Sequence, residues 1–86
     1  MKVFEGKWIS IEELDVDYKK KKTKEFEVYN HFDKTVLGII KWRGSWRKYA
    51  FFPHPDTFFE WVCMTDIGNF CKEETKRYKD ENWVKL

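Results

Sequence analysis

The segment from Lys24 to Pro53 constrains the fold most, because it reads as strand, turn, strand, turn, strand. Residues 24–30 set Lys24, Phe26 and Val28 against Glu25, Glu27 and Tyr29. Such period-two alternation marks an extended chain with two different faces. His31–Lys34 follows as a turn. Val36–Arg43 is rich in β-branched and aromatic residues, which suit a pleated surface. Gly44-Ser45 predicts a two-residue hairpin loop, with glycine at the first central position of a type II′ turn. Trp46–Phe52 is the third strand, ended by Pro53 and Pro55, which cannot donate to a ladder.

Beyond the prolines the period changes. Cys63, Ile67, Phe70, Cys71 and Tyr78 recur on one stripe, with Lys72, Glu73, Lys76 and Arg77 off it, predicting a helix over 63–79. Its start has two readings. Thr57 and Glu60 have capping-box spacing, which would begin the helix at Phe58. The preferred start is near Cys63, because Phe58, Phe59, Trp61 and Val62 define no single stripe. Gly68 costs the helix up to about 1 kcal/mol relative to alanine, a cost that close packing on the sheet would explain. At the other end, residues 2–9 form an extended arm with Phe4, Trp8 and Ile9. Ser10 and Glu13 again have capping-box spacing, which would start a turn of helix over 11–15. Lys19–Lys22 reads as a solvated surface loop.

The expected fold is therefore α+β: an antiparallel three- to four-stranded meander with one C-terminal helix on one face. A chain of 86 residues holds one domain. Its expected parts are an arm and basic loop (1–22), the meander (23–53), the helix (63–79) and a tail (80–86) that either packs back or stays free. A core this small is marginal. Aromatic residues, 20% of the chain, compensate, because each can bury roughly 150–250 Å².

Pairing the strands through these turns sorts their side chains. The hairpin loop sets Trp42 against Arg47 and Ile40 against Tyr49, and the His31–Lys34 turn sets Val28 against Leu37. One face then collects Phe26, Val28, Leu37, Ile39, Ala50 and Phe52, and is expected to take the helix. The other collects Tyr29, Val36, Ile40, Trp42, Tyr49 and Phe51, with Glu25, Glu27 and Arg47. One helix cannot cover both. The arm, a second copy of the chain or a ligand would have to cover the aromatic face, which if bare is large enough to be an interaction surface. A slip of one residue at His31–Lys34 would move the first strand to the opposite faces.

Two binding surfaces follow. Tyr29, Trp42, Tyr49 and Phe51, oriented by Arg47, are the expected contact surface for a protein partner, since large rings and arginine dominate interface energies. Alternatively, Lys41, Arg43, Trp46 and Lys48 in the basic aromatic hairpin 41–49 suit nucleic acid, with rings for bases and cations for phosphates. The net charge of +2 is too balanced to decide this, yet no acid lies between Asp33 and Asp56. A homodimer through the aromatic face is a third reading.

Catalysis is not expected. No phosphate-binding or dinucleotide motif occurs. His31, Asp33, His54, Asp56 and the two cysteines have no zinc-site spacing, and no metal or cofactor is expected. Ser10 and Ser45 lack the context of an activated nucleophile. His54-Pro55-Asp56 matches the J-domain tripeptide but follows a Phe-rich strand rather than joining two helices. Cys63 and Cys71, eight residues apart on the expected helix, would lie about 12 Å apart along its axis, too far for a disulfide. Free thiols, together with no apolar leader in Met1–Gly6 and no apolar run near the roughly 20 residues of a membrane span, point to the cytoplasm.

The run Leu-Gly-Ile-Ile-Lys-Trp (37–42), followed by Trp-Arg-Lys-Tyr (46–49), Phe-Phe-Pro (51–53), Asp-Thr-Phe-Phe (56–59) and Cys-Met-Thr-Asp-Ile-Gly-Asn-Phe (63–70), resembles a group of small uncharacterised proteins of bacteriophage and bacterial mobile elements. The resemblance covers roughly residues 24–71 and is a pattern of hydrophobic and aromatic positions. It implies a phage-type accessory protein, such as an inhibitor of a host function, and transfers no activity or functional residue.

Overall fold

The computed structural model describes residues 1–16 and 22–83. Lys19–Lys21 of the expected basic loop, and Val84 and Leu86 of the tail, lie outside them. The described elements are β1 (Lys2–Glu5), β2 (Ile9–Glu13), β3 (Glu25–Asn30), β4 (Val36–Arg43), β5 (Lys48–Pro53) and α1 (Trp61–Trp83). The strands form one antiparallel sheet in the order β1-β2-β3-β4-β5. The α+β class and the meander are as expected, but the strand count is higher. The arm is not loose: β1 and β2 extend the sheet, with Ile11 opposite Val28 and Phe4 opposite Ile11. The expected helical turn over 11–15 is strand through Glu13 and irregular beyond it, because Ile9 and Ile11 are fully buried on one face, which period two delivers and a helical period does not.

The helix also differs from expectation. It begins at Trp61, capped by Glu60, whose Oε1 accepts the Cys63 amide at 2.7 Å. Partial desolvation pulls the Glu60 pKa up. The amides of Cys63 and Val62, the Cys63 thiol and the Lys7 ammonium outweigh this and hold the carboxyl below its ordinary value. The expected stripe faces the sheet: Cys63 and Ile67 are buried, and Phe70, Cys71 and Tyr78 pack against the core. Thr75 ties the helix to the sheet edge, its Oγ1 accepting the Tyr49 amide at 2.9 Å and donating to the Cys71 carbonyl at 2.7 Å. The outer edge of β5 is thus partly closed to other strands. Gly68 faces outward, and a Cβ built there would meet nothing within 4 Å. The expected close packing at this glycine is therefore absent. Gly68→Ala should stabilise the fold by about 0.8–1.0 kcal/mol through helix propensity alone, visible as a higher denaturant midpoint.

Register decides which face takes the helix. The hairpin pairs Arg43 with Lys48, so Gly44–Arg47 is the loop rather than Gly44-Ser45. Relative to the expected pairing, β5 has slid by two residues. A period of two leaves every side chain on the same face after such a slide. The β3–β4 connection behaves otherwise. The Asn30 amide donates to the Thr35 carbonyl at 2.8 Å, as the turn at His31–Lys34 requires. Beyond it, Tyr29 opposes Val36 but Val28 opposes Gly38, leaving Leu37 as a bulge. One extra residue exchanges the two faces of β4 relative to β3.

The consequence is a reversal of the expected faces. The helix covers Phe26 and Val28 together with Ile40, Trp42, Tyr49 and Phe51. A chain of rings runs through this layer. Phe70 stands edge-on to Phe26 at 4.9 Å, Phe26 to Tyr49 at 6.0 Å, Tyr49 to Trp42 at 5.4 Å, and Tyr78 lies 4.4 Å from Trp42. Such pairs add about 0.5–1.5 kcal/mol each beyond their buried area. Glu12, Glu25, Glu27, Tyr29, Ile39, Lys41, Ala50 and Phe52 share the opposite face.

Candidate functional site

The expected protein-contact residues divide. Trp42, Tyr49 and Phe51 are not an open surface, because α1 lies on them. Tyr49 is buried, and its hydroxyl accepts the Lys24 amide at 3.1 Å. Phe51 stands edge-on to Phe59 at 5.2 Å, inside the β5–α1 connection. Tyr29 is on the opposite face and is also buried, with the Lys34 ammonium 5.6 Å from its ring centroid. Arg47 does not orient an aromatic face. It is an exposed turn residue in left-handed backbone at φ 54°. Of the expected surface, Tyr29 and Tyr49 are thus buried and Trp42 and Phe51 half-buried, and the bulge at Leu37 is what turns Trp42, Tyr49 and Phe51 to the helix side.

Lys41, Arg43, Trp46 and Lys48 are all exposed. The Arg43 guanidinium lies 4.9 Å from the Trp46 ring centroid at the hairpin tip.

A third surface is one that sequence reasoning missed. The β1–β2 turn, the β3–β4 turn and the β5–α1 connection all lie at the same end of the sheet, as the meander dictates. A groove of about 260 Å³ opens there, lined by the apolar Trp8, Ile9, Leu37, Phe58, Phe59 and Cys63 and by the polar Asn30, Asp33, Thr35, Asp56 and Thr57. Of its lining, Phe58 is 91% exposed and Trp8 is also exposed; Phe32 is 68% exposed, and Trp61 and Met64 in the first turn of α1 face water as well. Trp8 and Phe32 touch, their centroids 5.9 Å apart. Phe58 and Trp61 left a trace in the sequence: with Phe59 and Val62 they define no single stripe. That misfit marks outward-facing aromatics as well as a late helix start.

Local folding builds the groove. At Gly6 a Cβ would fall 2.7 Å from the Asp66 carboxylate and 2.9 Å from the Phe4 ring, so glycine lets the β1–β2 turn sit against the helix. His54 donates its amide to the bulged Leu37 carbonyl at 2.9 Å, drawing the β5–α1 connection across the sheet end. Asp56 then turns the chain in left-handed backbone at φ 61°.

Several of the remaining reactive groups are buried in whole or in part. Ser10 Oγ lies 3.0 Å from His31 Nδ1, and Ser10 is fully buried. Burial pushes the Cys63 thiol up to about 11, with Glu60 adding to the effect, and pushes Cys71 up to about 11 as well. At neutral pH both are thiols rather than nucleophilic thiolates. Burial also raises the Glu74 carboxyl, against the pull of Arg77, whose Nη1 is 3.0 Å from Oε1, and of Lys24. Among the described residues no group of three or more His, Cys, Asp or Glu is placed to hold a metal ion, and no helix is long and apolar enough to cross a membrane. Compared with known proteins, the chain matches no family model, no curated protein and no solved structure.

Proposed function

We propose that this protein is a non-enzymatic interaction module that holds a partner protein at the groove end of its sheet. One observation carries the reading: exposed Trp8 and Phe58 line a groove of mixed apolar and polar residues, with exposed Phe32 against Trp8 and exposed Trp61 and Met64 on the first turn of the helix that follows Phe58. Water-exposed aromatics gathered at one place are costly to maintain and are the residue types that anchor interfaces. Asp33, Asp56, Glu60 and Asp66 surround them, against Lys7 and Lys34. The matching partner surface is an apolar side chain flanked by lysine or arginine. The resemblance to phage-type accessory proteins fits a partner in a bacterial cytoplasm.

The test places a photo-crosslinking residue at Phe58 and, as control, at Ser45 on the opposite end. Crosslinking to one defined protein from Phe58, lost in Trp61→Ala/Met64→Ala, is the expected result. Those substitutions remove exposed side chains, so the melting temperature should hold. Crosslinking that ignores both substitutions, or that occurs equally from Ser45, would defeat the reading. Crosslinks between copies of the chain, with light scattering that rises with concentration, would make the occupant a second copy.

A further inference from the structure

We propose that the β4–β5 hairpin binds single-stranded nucleic acid along the sheet face that the helix leaves open. This is a separate function from the groove and does not rest on it.

The hairpin register builds a track. On the open face the opposed pairs, from the tip inward, are Arg43 with Lys48, Lys41 with Ala50, and Ile39 with Phe52. Trp46 stands at the tip, 63% exposed, with the Arg43 guanidinium 4.9 Å from its centroid. A ring backed by a guanidinium on one side presents a polarised surface for a base on the other. Phe52, on the same face further in, is the second ring. The Lys41 ammonium lies 4.7 Å from its centroid, on a flexible stem that can swing to a phosphate. Rings at both ends with Arg43, Lys48 and Lys41 between them match a strand whose bases are unpaired. A duplex hides its base faces and could use only the cations.

Carboxylates give the track a side. Glu25 opposes Lys41 and Glu27 opposes Ile39 on the same face, so β3 repels phosphate while the hairpin attracts it. The two loop amides that close the tip, Trp46 onto the Arg43 carbonyl at 3.1 Å and Arg47 onto Gly44 at 3.2 Å, hold Trp46 at the end of the ladder. The chemistry recognised is a base face next to a phosphate, common to DNA and RNA.

Fluorescence anisotropy with labelled oligo(dT), oligo(U) and a duplex of equal length, over a salt series, tests this on the full chain. The expected result is that single strands bind more tightly than duplex. With three cations in play, the logarithm of affinity should fall with that of salt at a slope near about −2. Trp46→Ala should weaken binding about ten-fold or more, and Trp46→Phe should restore most of it. Arg43→Glu with Lys48→Glu should abolish binding, while Trp61→Ala leaves it unchanged. The ratio of oligo(dT) to oligo(U) affinity then tells DNA from RNA. These side chains are exposed, so unaltered thermal melts should accompany every variant. No binding at low salt would overturn the proposal. So would binding unmoved by Trp46→Ala, or heparin held as tightly as the oligonucleotides, since either means charge without stacking.

Discussion

Trp42→Ala is expected to cost about 3 kcal/mol, at the lower end of the range for deleting a large aromatic from a core because Trp42 is only half-buried. For a domain of this size that is a fall in melting temperature of about 12–24 °C. The indole bridges sheet and helix, edge-on to Tyr49 at 5.4 Å and 4.4 Å from Tyr78. Its removal takes apolar contact from both layers at once. A domain of 86 residues has about 4–13 kcal/mol of total stability, so one substitution removes a large share. Circular dichroism through a thermal ramp measures it. Trp42→Phe keeps a ring against Tyr78 and should cost markedly less. An unchanged melting temperature in Trp42→Ala would mean that the helix does not cover this residue, and the aromatic face would again be a candidate contact surface.

Gly38→Ala should be the second most damaging change. A Cβ at Gly38 would sit 2.6 Å from the Phe52 carbonyl oxygen and 2.7 and 2.8 Å from two atoms of the Phe51 ring. The ring could tilt away, but the carbonyl belongs to the β5 backbone and moves only by shifting the strand. Overpacking of this kind costs about 1–3 kcal/mol, and the backbone contact argues for the upper half. The natural control is Gly44→Ala in the hairpin loop, where nothing lies within 4 Å of the new Cβ. That change should fall within about 0.5 kcal/mol of neutral. Urea midpoints for the two alanine variants make the comparison, and equal midpoints would show that Gly38 does not carry the contact between β4 and β5.

Gly38 also explains how the sequence misleads about the site. It is the residue that Val28 faces across the bulge. With no side chain of its own, it lets the Phe51 ring lie over the sheet beneath the helix. Local alternation in β4 reads the same whether or not Leu37 is bulged. The one local sign is Gly38 itself, since an isolated glycine within a strand run suggests a bulge or a close approach without saying which. The displacement at the hairpin was larger, two residues against one, but harmless because it was even. The exposed aromatics at the groove end were visible as apolar residues without a stripe. Their common location was not, since Trp8 reaches Phe32 and shares a groove with Phe58 only when three separate turns are folded to one end.

Sequence alone determined the strand runs of 24–53, the C-terminal helix and its inward stripe, and the exposed basic hairpin tip. Each depends on a period or a turn residue within a short window. Tertiary structure alone decided that β1 and β2 join the sheet, that Trp42, Tyr49 and Phe51 are covered, and that an aromatic groove forms at the far end. These follow from a bulge and from contacts between distant segments. The free energy that selects them lies in the packed pair of layers, not in either strand or helix by itself.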